Sequence, residues 1–164
     1  MIREAAPEDL AAIVAIYNAA IPGGEATADT EPVPVEARRT WFTKHSPDRR
    51  PLWVFDAGGV AGWLSFEDFY GRPAYGATAE VGVYVAPERR REGIGRALLR
   101  HALERAPELG LSTLLGLVFA HNAASVALLG RLGFEQWGRL PQVARIDGRE
   151  LDVLLLGRRV GGPY

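Results

Sequence analysis

Residues suited to chemistry are concentrated between Glu80 and Arg96, where a carboxylate is followed by a glycine pair set among arginines. Gly93 and Gly95 precede apolar residues at helical spacing, so the first amides of that helix lack carbonyl partners and carry partial positive charge. Because glycine leaves the backbone accessible and arginine forks suit phosphate oxygens, the stretch predicts a phosphate site. A solvated strand-to-helix connection is the alternative. The arginines concerned are Arg90, Arg91 and Arg96.

Two common phosphate motifs do not fit this stretch. A dinucleotide fingerprint needs a third glycine three residues after Gly95, where Leu98 stands, and it places its glycines directly after the strand. A P-loop needs Gly-Lys-Ser or Gly-Lys-Thr, and the only lysine in the chain is Lys44. Neither motif therefore identifies the ligand.

Glu80 is the candidate general base. Strand alternation places it on one side with Gly82 and Tyr84, while the valines of the strand lie on the other side. If the substrate were an alkyl ammonium, with a pKa near 10, only about one part in a thousand would be neutral at pH 7, which costs about 4 kcal/mol unless a base removes the proton. A carboxylate beside an anion site could supply that base. A solvated carboxylate at a strand end is the alternative.

Composition limits the class of protein that must position these residues. The chain has 164 residues, 48% of them hydrophobic, so we expect one domain over 1–164 with a full core. No apolar run approaches the roughly 20 residues that span a bilayer, and the first residues do not resemble a leader, so we expect a cytoplasmic protein with no membrane partner. The absence of cysteine excludes disulfides, thiolate metal sites and a cysteine nucleophile. A net charge of -1 gives no general attraction to nucleic acid.

The positioning elements alternate between strand and helix patterns. Valines alternate from Val81 to Val85, and Pro87 ends that strand because it cannot donate to a ladder. A polar loop at 23–34 is a candidate substrate wall. This order predicts an α/β domain with a mixed sheet and helices on both faces. Strands are predicted at 2–5, 52–55, 60–66, 78–85, 114–119, from 134 and at 150–156, and helices at 7–21, 35–45, from 94 and at 123–132.

Taken together, the motifs resemble the phosphinothricin acetyltransferase-like branch of the GNAT superfamily of N-acetyltransferases. Arg90-x-x-Gly93-x-Gly95 after Val-Tyr-Val is similar to the motif whose amides hold the pyrophosphate of acyl-CoA. The resemblance implies a single GNAT-like domain with a central mixed, mostly antiparallel, twisted sheet of about seven strands and helices on both faces. Further segments occur in the family's order, namely Thr30-Glu31-Pro32, Arg72-Pro-Ala-Tyr75, Thr78-Ala-Glu80, Asn122-x-x-Ser125, Leu132-Gly-Phe134 and Leu151-Asp152-Val153.

The resemblance also implies roles for individual residues. Glu80 would act as the base, directly or through water, and would contact the acceptor. The amide of Val83 would hold the oxyanion where the central strand splays. Acetyl-CoA would be held by Val83, Tyr84, Val85, Arg90, Arg91, Glu92, Gly93, Ile94, Gly95, Arg96, Asn122 and Ser125. The acceptor amine would meet Thr30, Arg72 and Tyr75 as well as Glu80, with the aromatic segment 69–75 lining its pocket.

Two positions depart from the branch's pattern. Leu129, seven residues after Asn122, stands where the superfamily has tyrosine and the branch has histidine, and leucine cannot protonate a leaving group. Because a thiol pKa near 8.5 makes thiolate a tolerable leaving group, this loss need not abolish catalysis. Glu150 stands where the branch commonly has tryptophan. None of the three histidines has other metal-ligating residues at suitable spacing, so we expect no metal.

Three functions are compatible with the sequence. The leading hypothesis is acetyl-CoA-dependent N-acetylation of a small primary amine, such as an amino acid or an analogue like phosphinothricin or methionine sulfoximine, by direct attack. Arg72 suits the carboxylate or phosphinate of such an acceptor because its fork matches two oxygens. The second is acetylation of a protein N-terminus or side chain, and the third is a non-catalytic CoA-binding sensor, motivated by Leu129. The resemblance adds a homodimer as an expectation.

Overall fold

The computed structural model describes residues 1–161, which form one seven-stranded sheet flanked by helices. The strand order is β1-β2-β3-β4-β5-β7-β6, and of its pairings only β4 with β5 is parallel. This confirms the predicted mixed, mostly antiparallel sheet in a single α/β domain. The strands are β1 Ile2–Glu4, β2 Leu52–Asp56, β3 Val60–Asp68, β4 Thr78–Val85, β5 Thr113–Phe119, β6 Glu135–Ile146 and β7 Arg149–Arg159.

The helices begin and end at residues whose chemistry favours those points. Pro7 opens a 3-10 turn that leads into α1, and the side chain of Asn122 caps α4 by accepting from the Ser125 amide at 3.2 Å. Gly133, at φ 87°, follows the last turn of α4. The α-helices are α1 Leu10–Ala19, α2 Arg39–Thr43, α3 Ile94–Arg105 and α4 Ala123–Arg131.

The helix predicted over 35–45 is shorter than expected. Its first turn, Val35–Arg38, is 3-10, and the α-helix ends at Thr43. There the ring of His45 turns back, and its Nδ1 lies 2.9 Å from the carbonyl oxygen of Trp41, a contact that satisfies a carbonyl at the helix end. The strand predicted at 150–156 is longer than expected, because β7 pairs with β6 in an extended hairpin around Asp147 and Gly148.

Strand β3 separates two hydrophobic cores, because its successive side chains point to opposite faces of the sheet. Trp63 belongs to the core under α1, where its indole N–H donates to the carbonyl of Ile13 at 3.0 Å. Leu64 belongs to the core under α3. The apolar stripe of α3 there is almost fully buried, as the sequence pattern predicted, and comprises Ile94, Leu98, Leu99 and Ala102. Helices therefore cover both faces and hold β3 and β4 rigidly between them.

Candidate active site

A gap opens in the sheet where β4 and β5 part. Their pairing ends at Glu80 and Leu115, although both strands continue beyond those residues. The N–H of Phe66 on β3 donates at 3.1 Å to the carbonyl preceding β2, so its partner Val81 directs its own backbone groups away from β3. Alternation gives Val83 the same direction, toward the gap. The Val83 amide therefore faces the opening and is available to a ligand.

A cavity of about 370 Å³ occupies this gap. Five of the residues predicted for acetyl-CoA or catalysis line it, and they come from β4 and from the start of α4. One wall comes from the polar loop at 23–34, which was expected to be a substrate wall. The lining comprises loop residues 25–28, β4 residues 80–84, β5 residues 117–119, Asn122, Ser125, Leu128, Leu129 and Val153, so Glu80, Val83, Tyr84, Asn122 and Ser125 are brought together.

Glu80 presents an unpartnered carboxylate to this cavity. The residue is half-buried, and its carboxylate makes no hydrogen bond or ion pair with any residue in the part of the chain that the structure describes. Burial raises the pKa of Glu80 above its ordinary value, and the negative charge of Glu67 raises the pKa further. A free carboxylate whose pKa is shifted toward neutrality is suited to accept a proton from an amine.

The glycine turn after β4 presents free amides. Helix α3 makes its first hydrogen bond from the Ala97 amide to the Gly93 carbonyl at 2.9 Å, so the amides of residues 94–96 precede any intrahelical partner. No side chain caps this end of the helix. Arg91 and Gly93 have φ angles of 66° and 80°, and such left-handed residues turn successive amides toward one side, as in anion-binding nests. These features fit a pyrophosphate.

The arginines of this turn differ in their availability. Arg89 is engaged by Glu92, with 2.7 Å between the guanidinium and the carboxylate. Arg90, Arg91 and Arg96 are exposed, and no ion pair holds them within residues 1–161. Three cations are thus left to face a ligand beside the free amides, and Val85, Glu92 and Ile94 lie in or next to the same turn.

The motif suggested that Gly95 is glycine so that an anion can approach the backbone, but the structure shows a packing reason instead. A β-carbon at Gly95 would lie 3.3 Å from Leu128 Cδ2 and 3.6 Å from Val85 Cγ2, so this glycine lets α3 start close to α4 and β4. At Gly93, by contrast, a β-carbon would meet nothing within 4 Å, and the positive φ is the constraint. Open access to the backbone is therefore found at Gly93, whereas at Gly95 the space is filled from within the protein.

The loop wall of the cavity is tied down through its carbonyl groups. Three successive carbonyls accept hydrogen bonds from the body of the domain: Gly24 from His121 Nε2 at 3.1 Å, Glu25 from Asn122 Nδ2 at 3.1 Å and Ala26 from the Tyr84 hydroxyl at 3.2 Å. Both polar atoms of the Asn122 side chain are therefore hydrogen-bonded within the chain, the nitrogen to Glu25 and the oxygen to the Ser125 amide. Two predicted ligand residues, Asn122 and Tyr84, shape the site by fixing this loop.

A buried polar cluster holds the next part of the same loop. The hydroxyl of Tyr17 contacts Thr27 Oγ1 at 2.5 Å and donates to the carboxylate of Asp29. Burial and the Asp29 carboxylate both raise the pKa of Tyr17, so its hydroxyl keeps the proton that it donates. Sequence patterns marked the loop as polar but could not show that Thr27, not Thr30, lies inward, because the loop has no periodicity to read.

The remaining acceptor residues lie elsewhere in the described structure. Thr30 is exposed and does not line the cavity. Arg72 and Tyr75 line a second, smaller depression of about 200 Å³, together with Arg49, Asp68 and Phe69. The structure of one chain therefore does not bring Thr30, Arg72 and Tyr75 to Glu80, and their contact with the acceptor stays a prediction.

Leu129 faces the cavity as an apolar side chain. It is 3% exposed, and its Cδ1 would lie 3.2 Å from a β-carbon placed on Gly116 of β5. The position that carries tyrosine or histidine in the resembling proteins is thus sterically filled, and it offers no proton donor. Across residues 1–161, no cluster of three or more His, Cys, Asp or Glu side chains could hold a metal ion, and no helix is long and apolar enough to cross a membrane.

Known proteins resemble this chain over nearly its whole length. The family model described as the Acetyltransferase (GNAT) family matches residues 12–134. The Bacillus subtilis protein YwnH, provisionally named a phosphinothricin acetyltransferase, is 47% identical over 161 residues, covering 97% of this chain and 98% of YwnH. An L-methionine sulfoximine/L-methionine sulfone acetyltransferase of Pseudomonas aeruginosa is 37% identical over 157 residues, covering 94% of this chain and 91% of the relative.

A solved structure shares the fold and carries the acetyl donor. It is the GNAT superfamily phosphinothricin acetyltransferase of Sinorhizobium meliloti in complex with acetyl-CoA. Its TM-score is 0.92 at 31% identity, with 98% of this chain and 88% of that chain covered. The resemblance in fold therefore extends to a protein that binds acetyl-CoA.

Proposed function

Because the chain belongs to the GNAT family of acetyltransferases, within its phosphinothricin acetyltransferase-like branch, we propose that it acetylates the primary amine of a small amino acid or amino acid analogue, with Glu80 as general base. One observation carries this proposal. The half-buried Glu80 carboxylate is unpartnered within residues 1–161, at the point where β4 leaves β5 and the Val83 amide becomes accessible.

The site fits acetyl-CoA in its charge and in its backbone donors. The amides of residues 94–96 and the cations of Arg90, Arg91 and Arg96 would hold the pyrophosphate. The gap between β4 and β5 would receive the pantetheine arm, beside Ser125 and Leu128. Bound there, acetyl-CoA supplies an activated thioester carbonyl and a thiolate leaving group.

Glu80 would take the first of the two protons that the amine nitrogen must lose. An ammonium acceptor would give that proton to a Glu80 carboxylate oxygen, directly or through a water molecule, and only the resulting free amine has a lone pair for attack. As the nitrogen bonds to the acetyl carbon and the C–S bond breaks, CoA would leave as thiolate and the second nitrogen proton would pass to that thiolate or to water. The raised pKa of Glu80 makes its carboxylate a stronger base than an ordinary glutamate. The Val83 N–H would donate to the carbonyl oxygen as that oxygen gains negative charge.

The acceptor class is supported by charge and by the named relatives. The relatives include proteins named for phosphinothricin and for methionine sulfoximine, both small molecules that carry an amine and an acidic group. Arg72 would bind such an acidic group, although it lies in the second depression of the same chain. A homodimer and a cytoplasmic location stay predictions.

A panel assay tests the proposed function. The purified protein is incubated with acetyl-CoA and with amino acids, methionine sulfoximine, methionine sulfone, phosphinothricin, polyamines or peptides, while free thiol and acetylated product are both followed. We expect thiol release matched by one N-acetylated small acceptor. Acetylation of peptides alone would support the protein acetyltransferase alternative, and acetyl-CoA binding without any acetylated product would support the sensor.

A further inference from the structure

A second carboxylate, that of Glu67, lies beside Glu80 on the neighbouring strand β3. The register of β3 and β4 places Glu67 directly opposite Glu80, on the same face as Trp63 and Tyr84, whose rings stack with centroids 4.8 Å apart. Two like charges directly opposite each other in adjacent strands destabilise a sheet unless one of them is compensated. The surroundings of Glu67 show how the compensation is made.

Glu67 is held by Trp41 of α2 and by His45, which lies two residues beyond the end of that helix. Its Oε1 accepts from the Trp41 indole N–H at 2.7 Å and lies 3.1 Å from His45 Nε2. The other ring nitrogen of His45, Nδ1, is 2.9 Å from the backbone oxygen of Trp41. The side chain of His45 is only 5% exposed, so its contacts within the protein satisfy the ring.

These contacts require one proton between His45 and Glu67. A carbonyl oxygen only accepts, so the Nδ1 of His45 must carry a hydrogen to bond to Trp41. If Nε2 carried none, its lone pair would face an ionised carboxylate oxygen, which is repulsive. Because the same Oε1 already accepts from the indole, a hydrogen on Nε2 would give its contact with Glu67 a donor as well.

We propose that His45 and Glu67 form a charge-compensating pair that tunes Glu80 as a base, with a protonated His45 supplying the positive charge. The proposal rests on the proposed role of Glu80. Glu67 supplies negative charge that makes Glu80 more basic, and His45 limits that charge so that Glu80 is still ionised near neutral pH. His45 and Glu67 are positioning residues, since they act on the amine only through Glu80.

The charge state of Glu67 is consistent with this role. Burial opposes its ionisation, but the hydrogen bond and charge of His45, with the hydrogen bonds of Trp41 and Ser65, outweigh burial and lower the pKa of Glu67. Glu67 is therefore ionised at neutral pH. Its negative charge raises the pKa of Glu80, and a positive charge on His45 would reduce that effect.

The other charged groups around the pair already have partners of their own. Arg38 lies over the Trp41 ring at 5.2 Å and pairs with Asp29 at 3.6 Å. Asp68, next to Glu67 on β3, is paired with Arg49 at 2.9 Å and Arg50 at 2.8 Å. Lys44, the neighbour of His45, is the exception, because it is exposed and makes no ion pair within residues 1–161. Glu80 is therefore the half-buried charge next to the pair that has no partner among the described residues.

The test measures the ionisation of Glu80 without turnover. Carboxyl carbons of labelled glutamate are followed by NMR from pH 3 to 9 in the whole chain, and Glu80 is assigned with Glu80→Gln. We expect Glu67→Gln to lower the Glu80 midpoint and His45→Gln to raise it, each by about 0.5 to 1 pH unit. The acid limb of kcat/KM should move in the same directions. Lys44→Gln removes a neighbouring exposed charge as the matched control and should move neither.

Shifts of the Glu80 midpoint in opposite directions in Glu67→Gln and His45→Gln support the proposed pair. An unmoved midpoint, or shifts in the same direction in both variants, would overturn it. A merely structural role would lower kcat at every pH and leave the midpoint in place. If Glu80→Gln stays active while the midpoints move as expected, the pair stands and the base assignment falls. If Glu80→Gln is inactive and the midpoints do not move, the base stands and the pair falls.

A measurement on the unaltered protein guards against variants that do not fold. Nitrogen shifts of the His45 ring, read at neutral pH, distinguish two protonated nitrogens from one. Two N–H groups on the ring agree with the proposal, whereas one N–H group beside a protonated Glu67 carboxyl would overturn it, because the pair would then carry no charge. A ring protonated at one nitrogen beside an ionised Glu67 would overturn the proposal.

Discussion

At the scale of single residues, Leu129 bears on whether the protein must protonate the departing thiolate or deprotonate the acceptor amine. An alkyl side chain stands where the family resemblance would place a proton donor for the thiolate, and it packs toward Gly116 of β5. A thiolate whose conjugate acid has a pKa only about 1.5 units above neutral is a smaller obstacle than an ammonium whose pKa is about 3 units above it. The proton that needs protein assistance is therefore the one on the amine.

Restoring a donor at Leu129 should accordingly gain little. We expect Leu129→His to change kcat by less than about threefold, because amine deprotonation limits the rate. The imidazole should also lower the free energy of unfolding by about 1–3 kcal/mol, since a polar ring enters an apolar wall. Steady-state kinetics and thermal unfolding check both values, with Leu129→Met as a control that keeps volume without a donor. A tenfold gain with histidine but not with methionine would contradict this ranking.

At the scale of elements, the turn between β4 and α3 combines free amides with free cations. One of its arginines, Arg89, is already neutralised by Glu92, which leaves Arg90, Arg91 and Arg96 for a ligand. Exposed ion pairs are individually weak, but a phosphate that also receives backbone amides at a helix terminus holds several charge-assisted hydrogen bonds at once.

Removing the three free cations together should weaken acetyl-CoA binding. In a variant with Arg90→Gln, Arg91→Gln and Arg96→Gln we expect the dissociation constant to rise at least tenfold, or about 1.4 kcal/mol, and to depend less on salt. Titration calorimetry measures both quantities. The matched variant with lysine at the same three positions keeps the charge and should recover most of the affinity. Unchanged affinity in a folded glutamine variant would place the pyrophosphate elsewhere.

Elements whose signals are local could be predicted from the sequence. The β4 strand and the start of α3 follow from alternation, Pro87 and the glycine turn, and the cap on α4 follows from Asn122. The predicted end of the helix at 35–45 was wrong by two residues, because His45 bonds back to a helix carbonyl, a contact with no sequence signature.

Features that depend on distant parts of the chain could not be predicted. The opposition of Glu67 and Glu80 is set by the register of two strands joined by an irregular segment, and alternation within one strand carries no register. The loop wall at 25–28 is fixed by His121 and Asn122, almost a hundred residues away. Long-range contacts of this kind explain why Glu80 was identified while its neighbours were missed.

At the scale of the whole molecule, the two cores share one sheet. Strand β3 contributes to both, so the site between β4 and β5 is supported by the same packing that holds the domain together. The chain should therefore unfold in a single cooperative transition. Scanning calorimetry checks this, and two separated transitions would contradict a single domain.

Acetyl-CoA should stabilise this domain because it binds only the folded state. At a concentration one hundred times its dissociation constant, the gain is about 2.7 kcal/mol. For a domain of this size, that corresponds to a rise in Tm of about 5–11 °C. The glutamine variant of the three arginines should show a smaller rise at the same concentration. Equal rises in the two proteins would argue against the turn as the binding site.

The most direct test of the proposed mechanism compares wild type with Glu80→Gln across pH, using an acceptor found in the panel. At pH 7 we expect kcat/KM to fall by roughly 10² or more, and the deficit to shrink toward pH 9–10 as free amine becomes abundant. In wild type, activity should be lost as pH falls through the raised pKa of Glu80, because the protonated carboxyl cannot accept a proton. Acetyl-CoA affinity, measured alongside, should be unchanged. A wild-type rate in Glu80→Gln at pH 7 would contradict the assignment of Glu80 as the base.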